Sequence, residues 1–274
     1  MDIRRAALDA LCLGDPGAKV AAAQALHRDF TAFSIAPDAP AAPAEPGALP
    51  GRPARPELLA HTAVARRSPA TPLGRAVLLH AITHIEFNAI NLALDAVWRF
   101  GGMPHDYYRD WIRVAAEEAH HFTLLRGHLR TQGHNYGDFP AHQGLWSMCE
   151  RTAHDVVARM ALVPRTLEAR GLDATPPIQR KLRQAGTADA LAAVAILDVI
   201  LHDEVGHVAI GNHWYRWLCD REGLDPVRHY RVLARRHEAP RLRPPFNTEA
   251  RQRAGFSEEE LLWLSGDPAA TEDF

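Results

Sequence analysis

Residues 115–125 read AAEEAHHFTLL and place two glutamates and two histidines inside an apolar run with helical periodicity. Charged side chains are rarely buried in a protein unless they are paired or bind a metal ion. Glu118 and His121 are three positions apart, so on a helix they share one face and can bind the same ion. The motif recurs as Glu204 and His207 in the stretch HDEVGH. The repeat indicates two helices that contribute matching ligands.

Two helical registers compete within residues 115–125. The stripe that contains Glu118 and His121 is otherwise apolar: Trp111, Val114, Ala115, Phe122, Leu125 and Leu129. The stripe of Glu117 and His120 carries Asp110 and Arg113, as a solvated face would. We therefore predict that Glu118 and His121 point inward. Glu117 and Asp203 each precede a ligand glutamate. Each either hydrogen-bonds a ligand histidine or faces solvent.

Helical periodicity dominates the chain from Ser68 onward, and strand signals are almost absent. It predicts four long helices, at about 72–100, 105–132, 147–171 and 188–221, with a short helix near 177–186. The loop over 133–146, nearly extended, spans about 46 Å, enough to pass the second helix, which is about 42 Å long. One long crossover between two helical hairpins is typical of a ferritin-like four-helix bundle. The predicted fold class is therefore all-α.

The rest of the chain is divided by its proline content. We predict an N-terminal helical segment (1–35), a Pro/Ala-rich arm or linker (36–67), the bundle (68–222) and a C-terminal helical extension (223–274) with helices near 225–237 and 257–264. Seven prolines between positions 37 and 56 exclude a helix or a central strand there. The arm is either a flexible tether or a segment that lies over the main domain.

Composition excludes several classes of protein. The formal net charge is −2 and no basic stripe is visible, so a nucleic-acid partner is not expected. The three cysteines are far apart, which argues against a disulfide framework, a zinc ribbon and a rubredoxin-type iron site. Neither a signal peptide nor an uncharged membrane-spanning run is apparent. We expect a cytoplasmic protein with no membrane partner.

A dinuclear site in a four-helix bundle normally takes one further carboxylate from each remaining helix. Glu86 is the only acidic residue in the apolar middle of the first long helix, and it lies about as far before the turn as Glu118 lies after it. In the third helix the candidates are Glu168 and Glu150, and spacing from Glu204 favours Glu168. Four carboxylates would balance two divalent ions with both histidines neutral. Buried Glu–His pairs without metal, and a mononuclear zinc site, stay open as alternatives.

Pro164, His84 and His202 lie near the predicted ligands, and we expect structural roles for them. Pro164 lies inside the third helix, where it removes a backbone hydrogen bond and is expected to bend the helix. His84 and His202 are each two positions from a ligand, so we expect them on the opposite face, at the surface or an interface.

The pairs Glu118–His121 and Glu204–His207, with Glu86 and Glu168, resemble the ferritin-like diiron-carboxylate superfamily over roughly residues 70–220. Within that range, four stretches look like an uncharacterised bacterial family called domain of unknown function 455: HIEFNAINLALDAVWRF (84–100), EEAHHF (117–122), EARGLD (168–173) and DEVGHVAIG (203–211). The stretch APRLRPPFNTEARQRAGFSEEEL (239–261) extends the similarity to nearly the whole chain. This resemblance supports Glu168 as the ligand of the third helix. The EAR stretch also resembles the third helix of the diiron tRNA hydroxylase, a protein of known reaction type.

The resemblance implies an O₂-dependent oxidase or hydroxylase that uses two iron ions, with manganese or a mixed Fe/Mn pair as alternatives. Its substrate would be a small organic molecule. An external electron donor is implied because the chain contains no CxxC and no GxGxxG fingerprint. Two other classes stay open, an iron-handling ferroxidase or storage protein and a non-enzymatic helical module with a vestigial site. Catalytic residues beyond the ligands, a tRNA substrate and the oligomeric state, a dimer included, are also left open.

Overall fold

The computed structural model describes residues 1–45, 49–60, 63 and 67–265. Within these residues the chain is helical, and β-pairing is limited to isolated bridges, which confirms the all-α class. The α-helices are α1 (Ile3–Leu11), α2 (Pro16–Arg28), α3 (Pro72–Arg99), α4 (His105–Thr131), α5 (Gly144–Arg151), α6 (Val156–Leu162), α7 (Ala169–Ala185), α8 (Ala188–Glu222), α9 (Pro226–Arg236), α10 (Thr248–Arg253) and α11 (Glu258–Ser265). A π-helical segment, Val163–Glu168, joins α6 to α7.

The chain divides into two compact units. The first comprises Met1–Ser147 and Lys181–Ile196, and the second comprises Met148–Arg180 and Leu197–Phe274. The division of the chain into the four domains named above stays a prediction.

Helices α3 and α4 form the central hairpin of the first unit. Pro72 occupies the first turn of α3, where it removes no intrahelical hydrogen bond, and the Thr71 hydroxyl accepts the Gly74 N–H at 3.1 Å. The turn after α3 passes through Gly102, whose φ of 69° favours glycine. Both helices begin and end within two residues of their predicted positions.

The N-terminal segment and the arm belong to the first unit. Helix α1 packs on α3, and α2 packs on α4. Along the arm, the Trp98 indole donates to Ala42 O at 2.9 Å, and the buried Lys19 ammonium donates to Gly51 O at 2.7 Å and to Leu11 O at 3.0 Å. For its described residues, the arm therefore lies over the helices and is not a free tether.

The third long helix differs from its prediction. It begins in two pieces, because Asp155 caps a new helix by accepting the Ala158 N–H at 2.8 Å. It does not end at Gly171 but continues through Pro176 and Pro177 to Ala185, which absorbs the short helix predicted near 177–186. Burial of Leu172 and Leu182 on this extension offsets the cost of prolines inside a helix.

Helix α8 and the C-terminal extension follow the predictions more closely. Helices α9 and α11 lie at the predicted positions, whereas the short helix α10 was not predicted. Arg251 of α10 is buried and pairs with Asp173 of α7 at 2.6 Å, both within the second unit. The extension is therefore part of that unit's core.

One described helix, α3, is long and apolar enough to cross a membrane. Its most apolar stretch is 72% buried within the protein, as is typical of the core helix of a soluble protein.

Candidate metal centre

The first unit brings together Glu86 from α3 with Glu118 and His121 from α4. His121 Nδ1 lies 3.3 Å from Glu86 Oε2 and 3.3 Å from Glu118 Oε2. One potential ligand atom from each of the three residues lies within 4.8 Å of the others, close enough to hold a common ion. Glu118 and His121 are completely buried, and Glu86 is 3% exposed.

The electrostatics of this group favour an added cation. Burial and the nearby charge of Glu118 raise the pKa of Glu86 to about 8. Burial alone would lower the pKa of His121, but hydrogen bonds and charges from Glu118 and Glu86 outweigh it and raise that pKa to about 12. Both shifts show that the carboxylate pair attracts positive charge. A divalent ion would supply that charge more completely than one proton does.

The donor set fits a metal ion. Oxygen and imidazole nitrogen donors suit iron, manganese and zinc. Glu86 Oε2 is buried and accepts no hydrogen bond of good geometry from the described residues, although it faces His121 at 3.3 Å. Such an oxygen is costly unless another positive group compensates it. The group can therefore hold a metal ion.

Burial separates the two helical registers of α4. Glu118 and His121 are buried, whereas His120 is exposed and Glu117 is half-buried. The predicted inward register agrees with this burial. The neighbour of Glu204, Asp203, is also half-buried. The roles of Glu117 and Asp203 beside the ligand histidines stay predictions.

The second unit buries the other three predicted ligands. Glu204 Oε2 lies 3.9 Å from His207 Nδ1, one turn apart on α8. Glu168, at the end of the π-helical segment, is 7% exposed, whereas the competing candidate Glu150 is exposed on α5. Glu168 lies 17 residues before Ala185, where α7 ends. Glu204 lies at a similar distance, 16 residues, after Ala188, where α8 begins. The binding of metal by all six residues stays a prediction.

A polar layer on α3 was missed by the sequence analysis. His84, which we expected at the surface or an interface, is buried because the loop after α4 folds over it. Its Nδ1 lies 2.9 Å from the Tyr136 hydroxyl. The Asn88 amide lies on the other side of the ring, 3.0 Å from His84 Nε2. His84 and Asn88 are four positions apart, so they are neighbours on one helical face, and this spacing could have indicated their contact. By contrast, His202 is exposed, as predicted.

Comparisons with known proteins place the chain in a family. A family model described as "Protein of unknown function (DUF455)" matches residues 12–262. An "Uncharacterized protein" of Haemophilus influenzae is 52% identical over 216 residues, which cover 76% of this chain and 74% of that protein. No solved structure matches the chain. Because the family model spans most of the sequence, the chain belongs to the DUF455 family.

Proposed function

We propose that this protein is a ferritin-like dinuclear metal protein whose ligands are Glu86, Glu118, His121, Glu168, Glu204 and His207. The observation that carries the proposal is the buried group of two carboxylates and one imidazole in the first unit. Two further carboxylates and one imidazole, Glu168, Glu204 and His207, are buried in the second unit and support it. Such sets of four carboxylates and two histidines bind pairs of iron or manganese ions in four-helix bundles.

We further propose that the protein is an O₂-dependent oxidoreductase, an oxidase or hydroxylase, of a small organic molecule. Two ferrous ions would supply electrons for the reduction of dioxygen. The carboxylates would balance the charge of the ions, and the neutral imidazoles would leave the site uncharged overall. Burial of the ligands would keep bulk water away from the reacting groups. A cytoplasmic location and an external electron donor complete the proposal.

Metal analysis of matched glutamate variants tests the ligand set. After anaerobic reconstitution with Fe²⁺, the wild-type chain should hold about two ions, and Glu118→Ala should lose most of the metal. Glu117→Ala is the control, because its side chain lies at the edge of the same helix and should keep most of the metal. Elemental analysis gives the stoichiometry, and circular dichroism verifies folding. A wild-type chain without metal would reject the proposal. Loss of metal from Glu117→Ala but not from Glu118→Ala would show that Glu117, and not Glu118, is the ligand.

A further inference from the structure

The third long helix changes its winding immediately before Glu168. Val163–Glu168 is π-helical, and the Ala169 N–H donates to the carbonyl of Pro164, five residues back. Pro164 lacks the amide hydrogen that an α-helix needs at this position, which favours the interruption. Single π turns inside α-helices occur frequently at functional sites.

The extra residue of the π turn decides which side chain is buried. It rotates the following residues by about 100° relative to an uninterrupted α-helix. Without it, Leu167 would take the direction that Glu168 has now. Leu167 is half-buried and Glu168 is buried. The π-helical segment is therefore the feature that places a carboxylate, and not a leucine, on the buried face.

Gly211 of α8 makes room for this segment. A Cβ atom on Gly211 would lie 2.5 Å from Cβ and 2.7 Å from Cγ of Pro164, closer than side chains approach one another. Gly206 lies on the same helix, and a Cβ atom there would meet nothing within 4 Å. The two glycines form a matched pair, of which only Gly211 is required by packing.

Arg165 ties the π-helical segment to the C-terminal extension. Its side chain is 2% exposed, its Nε donates to Asn212 Oδ1 at 2.8 Å, and its Nη2 pairs with Glu260 of α11. The guanidinium carbon lies 4.6 Å from the ring centre of Tyr230 and 5.0 Å from that of Phe256. Removing one partner of a buried ion pair leaves an uncompensated charge, so this pair resists separation.

Thr166 adds a second link. Its Oγ1 lies 2.7 Å from the carbonyl of Ala161, five residues back, and 3.0 Å from the hydroxyl of Tyr230 in α9. The hydroxyl therefore supports the wide turn locally, while Tyr230 holds it from outside. Contacts from α8, α9 and α11 thus converge on a segment of six residues.

We propose that the C-terminal extension is a clamp on the π-helical segment, and that this clamp holds Glu168 in position to bind a metal ion. The inference rests on the proposed function, because it assigns Arg165 and Glu260 as positioning residues for a ligand. It gives a role to the region after α8, which contributes no predicted ligand.

The test compares full-length Gly211→Ala and Glu260→Gln with wild type and with the control Gly206→Ala. Anaerobic titration with Co²⁺ gives the affinity and the visible spectrum of the bound ion. Gly211→Ala and Glu260→Gln should weaken Co²⁺ binding on the order of tenfold or more and alter the spectrum, as changes to residues that orient ligands do. Gly206→Ala should leave both unchanged. Circular dichroism verifies folding, and Thr166→Val replaces Gly211→Ala if that variant does not fold.

Hydrogen exchange of the metal-free proteins reports the clamp without any metal. The amides of residue 163 and of residues 165–169 should exchange faster in Glu260→Gln and Gly211→Ala than in wild type or Gly206→Ala. Lower stability with an unchanged Co²⁺ spectrum would show a purely structural role and overturn the inference. Unchanged exchange at 163–169 would overturn it as well. A wild-type protein that binds no Co²⁺ would instead reject the proposed function and, with it, a clamp that serves metal binding.

Discussion

At the scale of single residues, the adjacent glutamates Glu117 and Glu118 of α4 face different environments. Glu118 is completely buried beside His121, whereas Glu117 is half-buried at the edge of the same helix. A buried carboxylate needs a compensating positive group, and the single imidazole of His121 faces both Glu86 and Glu118, so the group favours an added cation. Glu204 is likewise buried beside a histidine, His207, in the second unit.

His80 predicts a pH dependence of stability that is separate from the ligands. Its Nε2 accepts the Gly137 N–H at 2.8 Å, so the ring must be neutral at that atom. Burial lowers the pKa of His80 to about 4, although Asp138 opposes the shift and His134 adds to it. The unfolded chain therefore binds more protons between pH 6.5 and 4, and stability is lost as the pH falls through that range.

Between pH 7 and pH 5, the contribution of His80 should fall by about 2 kcal/mol. Urea unfolding of the metal-free protein at both pH values measures this loss. His80→Gln keeps an acceptor for Gly137 but does not titrate, so it should lose correspondingly less free energy of unfolding over the same interval. Equal losses in the variant and the wild type would show that His80 is not responsible.

At the scale of elements, the third long helix consists of three segments, and a different local interaction determines where each one begins or continues. Asp155 starts α6 through a side-chain cap, and Pro164 favours the π-helical segment. Helix α7 then continues past Gly171, because its apolar face stays buried. The first two steps change the position of Glu168 relative to a single uninterrupted α-helix, and the third extends the helix beyond it.

The cap of α6 can be tested directly. Asp155→Ala removes the acceptor of the Ala158 N–H and should lower the free energy of unfolding by about 1 kcal/mol. Asp155→Asn keeps an equally good cap and should lose only a few tenths of that amount. Chemical denaturation of the metal-free variants gives both values. An equal loss in the two variants would assign the effect to the charge and not to the hydrogen bond.

At the scale of the whole molecule, helices from the described N-terminal and C-terminal regions are each integrated into their own unit. In the first unit, buried Arg4 donates to Trp98 O at 3.2 Å and to Ala39 O at 2.6 Å, which joins α1, α3 and the arm. In the second unit, Arg251 and Asp173 join α10 to α7. Helix α1 therefore packs against the helix that carries Glu86, and α10 packs against the helix that directly follows Glu168.

We predict that the ferrous protein, mixed with O₂, is oxidised once per site and then stops. Its sequence contains no CxxC or GxGxxG fingerprint that would indicate an internal electron donor. When the ferrous protein is mixed with O₂, its absorbance should show one oxidation per site and then a stable ferric form. Addition of a reductant should restore one further oxidation. Rapid repeated consumption of O₂ with Fe²⁺ alone, with mineral in a large assembly, would favour iron storage.

The sequence by itself determined the positions of α3, α4 and α8 and the inward register of Glu118 and His121. These features depend on the periodicity of apolar side chains within one helix, which is a local property of the sequence. The proline-rich composition likewise excluded a helix between residues 37 and 56, but it left open whether the arm packs.

Only the tertiary structure decided the burial of His84, the path of the arm and the shape of the third helix. His84 is buried because Tyr136, from a loop far along the chain, lies against it. The arm is held by acceptors for Lys19 and Trp98, and the π-helical segment by Gly211 and the C-terminal extension. Each of these contacts joins residues distant in sequence, so its free energy does not appear in any local pattern of side chains.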